Sequence, residues 1–321
     1  MKPLLVILDD WEGLIQKASY WDQLEDLVEI KFLKESIAKT SDSEIEKAQF
    51  LMAVRERTWL NEIVFNKMPE LKLVLQTGGH AYHIDTEAAQ KRNIVIALGR
   101  RAIAPLISVP ELTFAFVLGL MHKVYQSNEA MKNGEWKLAT GRTLYKKRLG
   151  ILGLGRHGSR VADIANTAFN MEVVAWDRRK GMYETKNDVK RLPLDEVLET
   201  SDIVSIHLRL SKESTGLLNK GLFSKMKPGA ILINTSRGPI VDENALIETL
   251  ERGSLAGAGL DVFADEPLAI DSPLRKLSNV ILTPHIGWTV EEVFDEFTSI
   301  ACTQMKSYLN GTLTSSELLP H

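Results

Sequence analysis

A glycine-rich segment in the middle of the chain has the spacing G-x-G-x-x-G. The three glycines are Gly153, Gly155 and Gly158. An apolar segment, residues 148–152, precedes them, and apolar residues at helical spacing follow. This arrangement predicts a strand, a tight turn and a helix whose first N–H groups bind a pyrophosphate. Arg156 and His157 lie inside the turn, where we expect contact with a nucleotide cofactor, although His157 could instead face solvent.

An acidic residue, Asp177, ends the next apolar segment, 19 residues after Gly158. A carboxylate at this position can bind both ribose hydroxyls and would repel a 2′-phosphate. The pattern therefore predicts NAD as the cofactor rather than NADP. Arg178 and Arg179 weaken this preference, because either guanidinium could bind a phosphate.

The elements that position these residues are short apolar runs, which alternate with charged segments of helical length. Predicted strands of the first part are residues 4–8, 28–33, 50–54, 71–76 and 94–98. Those of the second part are residues 148–151, 172–176, 202–206, 230–234, 256–261 and 280–282. This alternation is typical of βαβ units, in which helices cover a parallel sheet. We predict an α/β protein with two doubly wound parallel-sheet domains.

A capping box, Ser108 with Glu111, predicts a helix from Leu112 to about Tyr125. This helix is apolar on nearly every face, so we expect it to be buried at a domain or subunit interface. The chain is expected to cross between domains near residues 99–101 and 287–291. If it crosses twice, the last helix belongs with the first domain.

The composition limits the classes of function. The chain has 321 residues, and its 39 Lys+Arg against 42 Asp+Glu give a formal net charge of −3. This balance predicts neither a nucleic acid nor an anionic membrane as a partner. Cys302 is the only cysteine, which excludes an internal disulfide and a cysteine-based zinc site. The first apolar run is short and is soon followed by acidic residues, which does not fit a signal peptide, so we expect a cytoplasmic protein.

Four segments resemble the D-isomer-specific 2-hydroxyacid dehydrogenases, the family that includes phosphoglycerate, glycerate and D-lactate dehydrogenases. The segments are residues 153–158, 234–238, 259–267 and 283–287. Residues 75–79, with Ile84 and Asp85, look like that family's substrate loop. The resemblance implies a flavodoxin-like substrate domain, residues 1–100 plus 289–321, with an NAD-binding Rossmann domain, residues 101–288, inserted into it.

The resemblance also implies roles for single residues. The implied catalytic set is Arg237, Glu266 and His285. The predicted cofactor set further contains Thr235, Ser236, Asp261 at the nicotinamide end, and His207. For His207, a buried histidine with a satisfied hydrogen bond is the alternative. The N–H groups of Gly78 and Gly79 would bind the substrate carboxylate, unless these residues form a plain turn.

Hydride transfer on a 2-hydroxy acid needs one group that binds the substrate carboxylate and another that accepts the hydroxyl proton. Arg237 offers a planar fork that matches a carboxylate, which lysine does not. His285 can take the hydroxyl proton in oxidation and return it in reduction, while Glu266 orients the ring and stabilises the imidazolium. We predict an NAD-dependent D-2-hydroxyacid dehydrogenase, or 2-oxoacid reductase, that acts on a small acid. The alternative is an NAD(H)-sensing protein that resembles corepressors of the same fold.

Three further predictions concern the remaining features. His80 and His83 are a poor metal pair without a third ligand, so we predict no metal site. His80 could instead contact the substrate or be a solvated loop residue, and Trp288 could be a pocket wall or core. The apolar helix and its neighbours predict a homodimer through the cofactor domain.

Overall fold

The computed structural model describes residues 2–34, 37, 39–136, 139–177 and 189–319. The chain divides into two compact units. Unit 1 contains Met1–Ala104 and Thr289–His321, and unit 2 contains Pro105–Trp288. Arg178 and Arg179, the two residues that could bind a 2′-phosphate, lie outside the described residues.

Unit 1 is built on five parallel strands in the order β2-β1-β3-β4-β5. The strands are β1 (Leu4–Ile7), β2 (Glu29–Phe32), β3 (Ala48–Ala53), β4 (Leu73–Gln76) and β5 (Val95–Leu98). The helices between them are α1 (Leu14–Lys17), a 3₁₀ helix (Ser19–Leu24), α2 (Asp42–Ile45), α3 (Glu62–Asn66) and α4 (Thr86–Lys91). β4 is buried along its whole length, which explains why it is an unbroken apolar run up to Gln76.

Unit 2 has seven parallel strands in the order β12-β11-β10-β9-β6-β7-β8. The strands are β6 (Arg148–Leu152), β7 (Glu172–Trp176), β8 (Lys190–Arg191), β9 (Ile203–Ile206), β10 (Ile231–Asn234), β11 (Gly257–Leu260) and β12 (Val280–Leu282). The helices are α5 (Pro105–Met121), α6 (Val124–Lys132), α7 (Arg156–Phe169), α8 (Leu194–Thr200), α9 (Lys220–Phe223) and α10 (Glu243–Glu251), with 3₁₀ turns at Gly238–Ile240 and Pro273–Lys276. The predicted α/β class with two parallel sheets is confirmed.

The start of α5 differs from the prediction. The helix begins at Pro105, because proline suits the first helical position, and Ser108 is therefore already inside it. The Ser108 hydroxyl does not cap the helix but donates to the Gly287 carbonyl at 2.7 Å. α5 packs against α7, β10 and β11, so its apolar faces lie largely in the core of unit 2.

Among the described helices, no single one is long and apolar enough to span a membrane. Taken together, the adjacent helices α5 and α6, which are bent by 65° relative to each other, have the length and composition of a membrane span.

The last helix, α11 (Glu291–Leu309), belongs to unit 1. Its buried face includes Phe294, Phe297 and Met305. The segment after it returns to the edge of the sheet, where Leu318 forms an antiparallel bridge with Ala97 of β5.

Candidate active site

The glycine turn of unit 2 has the geometry that a dinucleotide phosphate requires. Gly153 has a φ of +101°, and a Cβ there would lie 2.8 Å from the His207 carbonyl oxygen. A Cβ at Gly158 would collide with the Gly153 carbonyl. Because glycine has no Cβ, α7 can start close to β6. A Cβ at Gly155 would meet no described atom within 4 Å, so this side of the turn is open. The turn therefore leaves room for a phosphate at the N-terminus of α7.

The predicted cofactor residues Arg156 and His157 form the first turn of α7, directly beside this opening. Asp177 follows β7 at the same carboxyl edge of the sheet and is half-buried. Its position after the second strand is the one from which a carboxylate reaches the ribose hydroxyls.

His207 follows β9 and lies behind the glycine turn. Its backbone packs against Gly153, while its Nε2 forms a 2.8 Å hydrogen bond with Ser205 Oγ. Burial, and secondarily the charge of His157, lower the pKa of His207 to about 3. The imidazole is therefore neutral, with one nitrogen satisfied inside the protein.

A tight turn after β10 carries Arg237 to the carboxyl edge of the sheet. Asn234 Oδ1 accepts from Ser236 N–H at 3.0 Å, and Asn234 Nδ2 donates to the Arg237 carbonyl at 3.1 Å. Thr235 Oγ1 lies 3.1 Å from Thr113 Oγ1, and the Ser236 hydroxyl donates to the Leu208 carbonyl. Both predicted cofactor hydroxyls thus have protein partners that fix this turn.

The turn of Arg237 is in close contact with the loop of Glu266. A Cβ at Gly238 would overlap the Phe263 carbonyl, so only glycine permits this approach. Phe263 N–H donates to Glu266 Oε1 at 3.0 Å, and Ala264 N–H donates to Glu243 Oε2 at 3.2 Å. Sequence reasoning missed Glu243, whose only local signal is its place behind the helix cap Asp242.

Glu266 and His285 form a direct pair, with Oε2 and Nδ1 2.8 Å apart. Burial raises the pKa of Glu266, but the hydrogen bond and charge of His285, the Phe263 N–H and the charge of Arg237 lower it below its usual value overall. The carboxylate is therefore ionised, and it occupies Nδ1 so that Nε2 is the nitrogen available for proton exchange. The predicted residues Arg237, Glu266 and His285 are brought together.

The loop that carries His285 is held by Asp261, which is 1% exposed. Asp261 Oδ1 accepts from Thr283 Oγ1 at 2.5 Å and from Ile286 N–H at 2.7 Å, and Oδ2 accepts from Gly287 N–H at 2.8 Å. These bonds close a loop in which His285 has a φ of +56°. Burial raises the pKa of Asp261, against the lowering effect of these hydrogen bonds and of His285. Trp288, at the end of the loop, is buried.

In unit 1, the predicted substrate loop follows β4. Gly78 has a φ of +92°, which favours glycine, and Thr77 Oγ1 donates to the Ala53 carbonyl at 3.1 Å. His83 is buried beside Gln76, whereas the His80 ring is half-buried, with its centroid 6.1 Å from that of Tyr82. Among the described residues, no three His, Cys, Asp or Glu side chains are grouped for a metal ion.

The chain is similar in sequence and in fold to known proteins. Residues 114–287 match the family model described as "D-isomer specific 2-hydroxyacid dehydrogenase, NAD binding domain". The chain is 39% identical over 279 residues to D-3-phosphoglycerate dehydrogenase of Bacillus subtilis, an alignment that covers 84% of this chain and 52% of that protein. It is 32% identical to glyoxylate/hydroxypyruvate reductase B of Enterobacter sp. strain 638, over 100% of this chain and 99% of the relative. The chain thus spans about half the length of the Bacillus protein.

Among solved structures, D-lactate dehydrogenase of Aquifex aeolicus, complexed with NAD and lactic acid, is 30% identical, with a TM-score of 0.84. That alignment covers 99% of this chain and 100% of the other. The family match and these relatives together define an NAD-dependent oxidoreductase that acts on 2-hydroxy acids. The chain belongs to the D-isomer-specific 2-hydroxyacid dehydrogenase family.

Proposed function

We propose that this chain reduces a small 2-oxo acid to the D-2-hydroxy acid with NADH, and catalyses the reverse oxidation. The observation that carries the proposal is the 2.8 Å pair of Glu266 and His285 beside the turn of Arg237. A carboxylate that holds one imidazole nitrogen leaves the other to exchange a proton with the substrate oxygen.

Each residue of the set has one role in this reaction. Bound NADH supplies the hydride. Arg237 binds the substrate carboxylate through its guanidinium fork, and His285 Nε2–H gives its proton to the carbonyl oxygen of the substrate. Glu266 stabilises the imidazolium that precedes this transfer, and Asp261 keeps the loop of His285 in place. The N–H groups of Gly78 and Gly79 in unit 1 are further candidates for the substrate carboxylate.

The cofactor residues are proposed from unit 2. Gly153, Gly155 and Gly158 provide the phosphate turn, with Arg156 and His157 beside it. Asp177 would bind the ribose, and His207, Thr235 and Ser236 shape the wall of the site through the hydrogen bonds described above. Direct contact of Asp261 with the nicotinamide stays a prediction, because its described bonds all go to the His285 loop.

The active form is proposed to be a homodimer through unit 2. Large apolar side chains are exposed on α6 and in the segment between α6 and β6, where Trp136 is 82% exposed. The others are Val124, Tyr125, Met131 and Tyr145. A second copy of this chain would bury these side chains in a symmetric interface. A cytoplasmic location and the absence of nucleic-acid or membrane partners stay predictions.

The test is NADH oxidation with glyoxylate, hydroxypyruvate, pyruvate and bulkier 2-oxo acids. We expect turnover with at least one small 2-oxo acid, and His285→Ala should remove most of it while NADH still binds. Tight NADH binding without turnover across the panel would refute the proposal and support the sensor alternative.

A further inference from the structure

One helix of unit 2, α5, carries two buried hydroxyls that contact the turns of the proposed active site. Ser108 is 7% exposed and Thr113 is fully buried. A serine or threonine inside a helix commonly turns its hydroxyl back to a carbonyl of the same helix. Here each of the two hydroxyls also has a partner in a distant turn, and each of these turns carries one residue of the proposed catalytic set.

Ser108 binds the loop that carries His285. Its hydroxyl donates to the carbonyl of Gly287, two residues after His285, at 2.7 Å. The N–H of the same glycine donates to Asp261 Oδ2 at 2.8 Å. Gly287 is thus bound through its carbonyl to α5 and through its N–H to the residue that follows β11.

Gly287 also packs against the side chains of α5. A Cβ at this position would lie 3.4 Å from Val109 Cγ2 and 3.5 Å from Leu112 Cδ2. The backbone of the loop is therefore in van der Waals reach of the helix as well as hydrogen-bonded to it. His285 has a φ of +56°, and a residue with a side chain keeps such a conformation only where its surroundings hold it.

Thr113 binds the turn that carries Arg237. Its Oγ1 donates to the Val109 carbonyl at 2.9 Å and lies 3.1 Å from Thr235 Oγ1. A hydroxyl has a single proton, so Thr113 accepts the proton of the Thr235 hydroxyl. Thr235 is buried and stands two residues before Arg237. The turn after β10 is therefore attached to α5.

These two bonds join α5 to turns that come from different strands. The Arg237 turn follows β10 and the His285 loop follows β12, and β11 lies between these strands in the sheet. α5 packs against all three strands. Five residues of one helix, about 7.5 Å along its axis, separate the two hydroxyls. A single rigid element thus contacts both turns.

We infer that Ser108 and Thr113 are positioning residues of the proposed reaction, and that Ser108 acts through His285 and Thr113 through Arg237. This inference rests on the proposed reductase function and adds two residues that contact neither substrate nor cofactor. Because His285 would transfer the proton and Arg237 would bind the carboxylate, the two hydroxyls should affect different kinetic constants. Hydroxyls that only stabilised α5 would affect both constants alike, or neither.

The first variant is Ser108→Ala, which removes the hydroxyl and keeps a residue that favours helix. The rate is measured as single-turnover NADH oxidation at a saturating concentration of the 2-oxo acid that the wild type turns over fastest. We expect this rate to fall about tenfold, the effect of one lost buried hydrogen bond. KM for the 2-oxo acid, and Kd for NADH from fluorescence titration, should stay within about twofold. Ser108→Thr keeps a hydroxyl and should recover most of the rate.

The second variant is Thr113→Val, which has the shape of threonine without the hydroxyl. We expect the opposite division of effects. KM for the 2-oxo acid should rise about tenfold, while the single-turnover rate at saturation stays within about twofold of the wild type. Thr113→Ser keeps the hydroxyl and should restore KM. Should Thr113→Val fail to fold, Thr113→Ala removes the same hydroxyl and should raise KM in the same way.

Thr167→Val is the matched control. The Thr167 hydroxyl donates to the carbonyl of Asp163, four residues earlier in α7, as that of Thr113 does to Val109. Thr167 is exposed, so its replacement removes a bond within one helix without touching either turn. We expect both kinetic constants to be those of the wild type.

The results separate the inference from the proposed function. Constants that stay unchanged in Ser108→Ala and Thr113→Val, or that change together by the same factor, would overturn the inference and leave the reductase function intact. Failure of Thr113→Ser to restore KM would also overturn it, because the hydroxyl would then not be the cause. A wild type without turnover of any 2-oxo acid would refute the proposed function, and the inference with it.

Discussion

Replacing His83 in unit 1 with glutamine should make the stability of the protein less sensitive to acid. Gln76 Nε2 donates to the carbonyls of Arg55 and Thr77, so Gln76 Oε1 accepts from His83 Nε2 at 3.2 Å. Burial, with the positive charge of Arg55 against the opposing charge of Glu56, lowers the pKa of His83 to about 4. The folded protein therefore keeps this imidazole neutral.

The direction of the pH effect follows from proton binding. Between the ordinary pKa of 6.5 and the folded value of about 4, the unfolded chain binds a proton at His83 that the folded chain does not bind. Stability therefore rises with pH across this window and is lost as the pH falls from 6.5 towards 4. The full difference corresponds to about 3 kcal/mol, and about 2 kcal/mol of it is lost by pH 5.

The assay is urea unfolding followed by circular dichroism, at pH 7.5 and at pH 5.0. In His83→Gln, the cost of lost packing is present at both pH values, so it cancels in the difference between them. We expect the loss of unfolding free energy from pH 7.5 to pH 5.0 to be about 2 kcal/mol smaller than in the wild type. His122→Gln, which replaces an exposed histidine, is the control and should leave the difference unchanged. If His83→Gln loses as much stability on acidification as the wild type, the conclusion that buried His83 is neutral in the folded protein is wrong.

The other predictions concern the proposed reaction. Arg237→Lys keeps the charge but loses the planar guanidinium fork, so kcat/KM for the 2-oxo acid should fall about tenfold or more, with NADH affinity much less affected. Equal activity of the two proteins would exclude bidentate binding of the substrate carboxylate by Arg237. Glu266→Gln removes the carboxylate that holds His285 Nδ1, so kcat for reduction should fall about tenfold or more with NADH affinity much less affected, and an unchanged kcat would separate the two residues. Asp177→Ser should narrow the preference for NADH over NADPH in kcat/KM, and a wild type without that preference would contradict the role of Asp177. Sedimentation should show a dimer at micromolar concentration, and Trp136→Ala should weaken it; a wild type that stays monomeric would contradict the interface.

Much of the fold follows from local sequence patterns. The predicted strands correspond to β1–β7 and β9–β12. Strands inside a parallel sheet must be apolar nearly throughout, whereas the edge strand β2 also carries Glu29 and Lys31. The glycine turn is equally local: the positive φ of Gly153 and the close approach at Gly158 exclude side chains, so the glycines themselves report the geometry. Arg237, Glu266 and His285 could be proposed as a set because the segments that carry them resemble those of the D-isomer-specific 2-hydroxyacid dehydrogenases.

The hydrogen-bond partners at the site could not be read from sequence, because they depend on which strand ends lie side by side. Asp261 and the N–H groups of Ile286 and Gly287 are 25 and 26 residues apart in sequence, and β11 pairs with β12 to join them. The Ser108 hydroxyl, expected to cap a helix, donates to the distant Gly287 carbonyl instead. A local pattern states which donors and acceptors a residue carries, whereas tertiary packing selects their partners. For the same reason, the pairing of Arg55 with Glu56 and of Arg57 with Glu12 was visible only in the structure.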